Sequence, residues 1–514
     1  MSQGAIFSLV LNDARFDKYI TATDYLSSRI KTLRFTRKSQ CKANTVPTFA
    51  ELGQSHILYV KSTYKPYAAV ASEYSKVQAS TINNKLTSAG GDLEFTFPIN
   101  GNFTSDMAFH VNFSALGSAT AEEATAETPY YRYCAFPGAR LFSKVELRSK
   151  QFLIDDYGSN DVMERRKFFV SSDNLTNWDR CHGQQETREA SYFGNGYTGV
   201  LNYCDGPQTP KLYQEGFDMF IPAQFWFCQD PSQSLHNDMI PNTQRTIMCK
   251  LESFSRMVQA LIPDPENPGS LMEVAPPVNS VKFTVDLYVN NLYINKDINN
   301  IFASRVGFSL IRTHRRQVSQ LKSASGSILL DQLKFPAEYF TIGVRTRRLV
   351  NDFDRWWMMG YVKTRADAAK LIVPTMVWNS ELRLYQLVYR EAGEVTSLEN
   401  MVDTIGVTSQ NIDLYPMIQS EFYNSYLPNR YPVNSMTVSP TDTASFLINF
   451  CLFPGQYNPS GYFNLSAGRN TYIKYALKST APDVSREHTE MITSMSAINF
   501  IIKSGDDIKL KYSI

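Results

Sequence analysis

The stretch from Val281 to Val289, VKFTVDLYV, decides the fold class of this chain. Val281, Phe283, Val285, Leu287 and Val289 alternate with Lys282, Thr284, Asp286 and Tyr288, the two-residue period of a strand with one buried face. A helical period would scatter those apolar side chains around the axis. The same signal recurs outward in both directions. Leu93, Phe95, Phe97 and Ile99 alternate with Glu94, Thr96 and Pro98. Ala497 to Lys503, a turn around Ser504-Gly505-Asp506-Asp507, and then Ile508, Leu510, Tyr512 and Ile514 predict a hairpin.

Helical patterns are few and short, at Asp297 to Ser304 and Leu398 to Thr404. Gly117 to Thr128 and Asn174 to Gly199 read as polar exposed loops, and Pro263, Pro265, Pro268, Pro276 and Pro277 mark a third. Many strands with sparse helices predict an all-β chain of sandwiches rather than βαβ units. The alternation lapses between Gln317 and Ser327 (QVSQLKSASGS), and the boundary between two large domains is placed there.

The totals agree. The 514 residues exceed one compact core and suit two large β domains. Charged residues make up 19% and aromatics 13%, a balance that favours pleated, half-buried surfaces. With 51 Lys and Arg against 49 Asp and Glu, the chain has no global field to hold a polyanion, so no sequence-specific nucleic acid partner is expected. The seven cysteines are scattered without CxxC spacing, the pattern of reduced thiols in a chain made in the cytosol. No apolar run approaches the ~20 residues of a membrane span.

Signals for chemistry are weak. The six histidines include no pair at metal-ligand spacing, and nucleophile elbows, phosphate loops and Rossmann glycines are missing, so no catalytic residue, metal or cofactor is expected. Acidic pairs occur at Glu122-Glu123, Asp155-Asp156 and Asp506-Asp507; the first and last sit in loops or turns, and a solvated turn is favoured over an acid/base pair. Basic clusters at Arg312, His314, Arg315, Arg316, at Arg345, Arg347, Arg348 and at Lys31, Arg34, Arg37, Lys38 read mainly as charged edges or faces of strands. Phe225-Trp226-Phe227 and Trp356-Trp357 read as buried core rather than sugar platforms.

Particular segments add a resemblance. CDGPQTPKLYQ, from Cys204 to Gln214, carries Gly206, Pro207, Gln208 and Pro210 in a string whose prolines and glycine imply a fixed turn. NPSGYFNLSAGRNTY, from Asn458 to Tyr472, carries Pro459 and Gly461 in a second turn. With Gly4 to Ile30, Lys65 to Val77, Tyr133 to Val162, Asn291 to Val318, Leu333 to Val344 and Ser496 to Ile514, these segments make the chain resemble the major capsid protein family of African swine fever virus-like large DNA viruses, over nearly its full length. The chain departs from the swine-fever protein by being distinctly shorter, in the loops around Gly101 to Thr128 and Val170 to Tyr203.

The resemblance implies a double jelly roll, two eight-stranded sandwiches, with a base arm over residues 1–48, a first jelly roll over 49–318 and a second over 319–514. Asn291 to Val318 is expected to close the first jelly roll. The implied role is a homotrimeric, pseudo-hexagonal capsomer of an icosahedral shell, assembled in host cytoplasm. Implied partners are neighbouring capsomers, minor capsid and penton proteins, and an inner viral membrane. Alternatives are a jelly-roll scaffold of virion membrane assembly, or a jelly-roll carbohydrate-binding protein or glycosidase. The arm supplies the assembly candidates: Ile6, Phe7 and Leu9 as apolar residues needing a surface, and Lys31, Arg34, Arg37 and Lys38 for acidic partners or anionic lipid.

Overall fold

The computed structural model describes residues 70–512, apart from 81–84, 118–127, 240–244, 264–270, 301–307, 366–371, 380–383, 392–394, 431–439, 466–469 and a few stretches of one or two residues. Alternating apolar residues build eight main strands in the first half: β1 (Val70–Gln78), β2 (Gly91–Thr96), β3 (Phe103–Phe113), β4 (Phe142–Ser149), β5 (Phe152–Gly158), β6 (Phe217–Pro222), β7 (Arg245–Leu251) and β8 (Ser280–Ile294). They pair antiparallel in two sheets, ordered β1-β8-β3-β6 and β2-β7-β4-β5. That order is a jelly roll.

The second half repeats it strand for strand. β9 (Phe308–Gln320), β10 (Ser325–Leu329), β11 (Pro336–Arg345), β12 (Val402–Ser409), β13 (Ile412–Gln419), β14 (Ser445–Asn449), β15 (Thr471–Leu477) and β16 (Glu490–Ser504) form the sheets β9-β16-β11-β14 and β10-β15-β12-β13. In each half the last strand therefore inserts between the first and third.

Each sandwich closes over its own core. On β8, Val281, Phe283, Leu287 and Val289 are buried, as their alternation predicts. Phe109 of β3 meets Phe95 of β2 at 5.9 Å and Phe142 of β4 at 4.9 Å between ring centroids, tying the two sheets of the first half together. Phe340, Ile342, Val344, Ile405, Val407, Phe446, Ile448 and Ile473 form the second core. The C-terminal hairpin forms as expected, with Ser504 opposite Asp507.

Three expectations need correction. β9 pairs with β16 from Phe308↔Ile502 to Gln320↔Glu490, so it opens the second jelly roll instead of closing the first. A boundary at residues 318 and 319 would cut this strand; the lapse in alternation after Gln317 is the turn from β9 to β10. Leu398 to Thr404 is not helical: a strand ends at Glu399 and β12 begins at Val402, and a register shift between Val402 and Thr404 breaks the two-residue period that would have revealed it. Asn174 to Gly199 is not an open loop. It completes a helix and enters a hairpin of Thr187–Gly194 with Tyr197–Cys204, whose Tyr203 pairs with Gln386 of the second half.

Helices α1 (Pro137–Leu141), α2 (Ser159–Phe169) and α3 (Ser172–Cys181) lie between β3 and β6 in sequence. Because α2 follows β5 directly, the edge of the first sandwich and this helix form one continuous surface.

Candidate functional site

The arm candidates Ile6, Phe7, Leu9, Lys31, Arg34, Arg37 and Lys38 lie outside the described residues, as does nearly all of the Gly117 to Thr128 loop. The two turn motifs are described, one in each sandwich, and they do not share a site.

In the first, Gln208 is buried and works as a splice. Its Oε1 accepts from the Gln185 N–H at 2.7 Å, and its Nε2 donates to the carbonyls of Cys134 at 3.2 Å and Gly183 at 2.9 Å. Pro207 accepts from the Tyr133 N–H at 2.8 Å, and Pro210 leads into Lys211, which exchanges backbone bonds with Tyr131. A Cβ on Gly206 would stand 2.5 Å from that of Gln185, so only glycine lets the strands close. In the second motif, the Ser460 hydroxyl accepts from the Phe453 N–H at 2.7 Å, while Gly461 adopts φ 135°, a left-handed conformation that glycine takes without strain.

The densest chemistry lies elsewhere, where β5 and α2 of the first sandwich cover the outer face of β9-β16-β11-β14. Asp155 is completely buried there and accepts from the His314 N–H at 2.7 Å, with the His314 ring nitrogen 3.5 Å from its other oxygen. Arg315 reaches Asp156 at 3.3 Å, and Arg316 reaches Asp161 at 3.2 Å. Ser494 of β16 donates to Asp161 at 2.7 Å, and Phe169 packs on Tyr339 of β11 at 5.1 Å between centroids. Lys167 of α2, buried, sits 2.9 Å from Glu164 and 2.8 Å from Asp442, and bonds Ser445 of β14. A single helix thus crosses the whole sheet.

Burial opposes charge on His314, yet the Asp155 carboxylate, with Asp161 behind it, raises the imidazole above its ordinary value. Burial opposes the Lys167 ammonium in the same way, and Asp442 and Glu164 outweigh it. On the covered face itself Arg312 holds Glu338 with bonds of 2.6 and 3.1 Å. Buried charges are tolerated only when so compensated, and they fix one relative placement of the halves. Asp155 is fully buried, and the Arg312 to Arg316 cluster lies on a strand, as the sequence reading has it, but on a face that the first sandwich covers. The partners of His314, Arg315 and Arg316 lie 155 to 159 positions away, a separation that no local pattern reveals.

Beside this network the halves share an aromatic cluster. Trp356 donates to the Ala135 carbonyl at 2.7 Å, Arg140 lies over Trp356 at 5.3 Å, and Arg166 lies over Phe136 at 4.8 Å and Trp357 at 5.3 Å. Trp356, Trp357 and the Phe225 to Phe227 run are buried, as expected. Among the described residues no group of His, Cys, Asp and Glu is placed to hold a metal, and no helix is long and apolar enough to cross a membrane.

Strand order and full-length sequence similarity converge. The chain is 25% identical to the hexon protein p72 of African swine fever virus strain Badajoz 1971 Vero-adapted and to the major capsid protein of isolate Warthog/Namibia/Wart80/1980, over 665 aligned positions covering all of both chains. The solved Faustovirus major capsid protein superposes with a TM-score of 0.70 at 25% identity, covering 96% of this chain and all of that one. The chain is similar over its full length to major capsid proteins of large DNA viruses, and it has the double jelly-roll fold. PBCV-1 VP54 shares the fold at 15% identity, with a TM-score of 0.60. No family model matches. The similarity supports the role of a major capsid protein, and the network between β5, α2 and the second jelly roll is the joint that makes two sandwiches one building block.

Proposed function

We propose that three copies of this capsid protein associate into a pseudo-hexagonal capsomer that tiles an icosahedral shell. The observation that carries the reading is internal: two sandwiches of identical strand order stand side by side in one chain, so three copies present six similar units. Closed rings of this kind need only one repeated contact. Neighbouring capsomers and minor capsid and penton proteins complete the shell, and assembly takes place in host cytoplasm. Residues 1–48 form a base arm facing inward. Its apolar residues Ile6, Phe7 and Leu9 bury against a neighbour, and Lys31, Arg34, Arg37 and Lys38 meet acidic partners or the anionic lipid of an inner membrane. The chain needs no cofactor, performs no catalysis and reads no nucleic acid sequence.

Sedimentation of the purified full chain tests the core of this reading. The expected mass is three times the 58.4 kDa of one chain. A folded species that stays monomeric at all accessible concentrations would exclude it.

A further inference from the structure

The outer sides of β9, β16 and β11 meet α2 across a cavity of about 30 Å³, partly open to solvent. Its floor is set by register. His314 of β9, Ser496 of β16 and Tyr339 of β11 lie side by side, and Arg316, Ser494 and Thr341 form the next row. Ser494, Ser496 and Thr341 are short, so the sheet leaves a hollow under the helix. The roof is one stripe of α2: Asp161, Arg165 and Phe169 recur every four residues and all border the cavity, with Glu164 beside them.

The charges around this space pair off with one exception. Asp161 accepts from Ser494 at 2.7 Å and from the Gly158 N–H at 2.8 Å, and Arg316 lies 3.2 Å away. His314 rests on Asp155. Glu164 shares Lys167 with Asp442, and burial raises its carboxyl above the ordinary value, so it is a poor counter-ion for anything further. Arg165 has no carboxylate within ion-pair distance among the described residues. Burial lowers its guanidinium, and the groups that offset this are Tyr339 and Cys228, whose own protons burial holds in place. His314, which borders the same cavity, feels Arg165 as a like charge. An arginine cannot discard its proton, so a desolvated guanidinium needs an anion within reach.

We propose that the cavity binds a small inorganic anion, chloride or a compact oxyanion such as phosphate, held by Arg165 with hydroxyl donors from Tyr339 and Thr341. At ~10–15 Å³ per water position the space takes about two waters. That is enough for chloride, or for an oxyanion whose remaining oxygens face the opening, and too little for a nucleotide or a sugar. The fixed fork of guanidinium donors suits either occupant. Arg165 belongs to the first sandwich and Tyr339 and Thr341 to the second, so the anion is a structural ligand that ties the halves together. The site lies within one chain and stands apart from the trimer reading.

Melting of the full chain tests it, in titrations with sodium chloride or sodium phosphate against sodium gluconate at matched ionic strength and pH. Gluconate is too large for the cavity. Wild type should gain about 1–2 °C, saturably, at tenfold excess over the half-saturating concentration of chloride or phosphate. Arg165→Met should lose that gain and, in gluconate, melt no lower than wild type, since it removes an uncompensated cation rather than a partnered one. Thr341→Val, on the other sandwich, should raise the half-saturating concentration about fivefold. Salt effects on the whole surface act on all three proteins alike and cancel in the comparison. Bromide or arsenate, heavy stand-ins for chloride and phosphate, should give an anomalous peak beside the Arg165 guanidinium in wild-type crystals, a readout that needs no variant to fold. Equal melting in chloride, phosphate and gluconate, or a gain retained by Arg165→Met, would overturn the site. So would half-saturation only above about 1 M, the mark of an adventitious ion. A peak from neither bromide nor arsenate would leave Arg165 held by water alone and overturn it as well.

Discussion

β5 and β13 occupy the same position in their sandwiches, yet Asp155 on β5 is completely buried whereas Ile412 on β13 is 66% exposed. The surfaces opposite them differ in the same way. The face under β5 and α2 presents His314, Arg316, Arg312 and Glu338, while its counterpart in the first half presents Tyr74, Phe220 and Tyr288. One topology therefore carries two chemistries. A joint made within a chain forms at high effective concentration, and directional charges there select a single geometry. A contact made between copies must supply its own driving force, for which apolar surface is better suited.

The comparison breaks most visibly at Glu338. Glu338→Leu leaves Arg312 with its buried carboxylate partner removed, and removing one member of a buried pair costs about 3–5 kcal/mol. Denaturant unfolding should show a loss of that order; a loss below ~1 kcal/mol would mean that water reaches the joint.

A smaller effect is expected from pH. His314 has a raised value in the folded chain, so the stability it contributes is fully present below the unfolded value of 6.5 and disappears as pH rises through the folded value. The gap in melting temperature between wild type and His314→Gln should then be widest near pH 6 and close on the alkaline side. A gap independent of pH would show that Asp155 holds a neutral ring.

The smallest effect sharpens the contrast. Ile412→Ser should change the stability of the dilute, unassociated chain by no more than ~0.5 kcal/mol, as for ordinary surface positions. A cost of several kcal/mol would mean that the edge packs within its own chain.

How far the sequence disclosed this depends on the distance over which each signal acts. Alternation at Val281 to Val289 and in the C-terminal hairpin reports a strand from its own residues, and the buried aromatic runs obey burial preferences that need no partner. The joint is different. Arg312, His314, Arg315 and Arg316 look like a solvated strand face, because the outer side of β9 carries the polar alternation that any exposed strand would. Only the covering elements, β5 with Asp155 and Asp156 and α2 with Asp161, distinguish the two cases. The misplaced boundary has the same origin, since β9 belongs to whichever sheet supplies its neighbour, and that neighbour is Glu490–Ser504. GPQTP was legible as a turn, but its role as a splice was not, because Gln208 acts on Gln185, Gly183 and Cys134 through space.

The insertion of the last strand between the first and third has a consequence in time. The first sandwich can complete its sheet once residue 294 has been made, but the second lacks a central strand until residue 504. At ~5–20 residues per second the interval is roughly 10–40 s. Throughout it, β5 and α2 stand ready with nothing to cover them. An apolar surface waiting that long beside other nascent chains would invite clumping, whereas Asp155, Asp156, Asp161, Glu164 and Lys167 can remain hydrated until β9, β16 and β11 come together. The ionic chemistry of the joint thus suits the order of synthesis as well as the finished geometry.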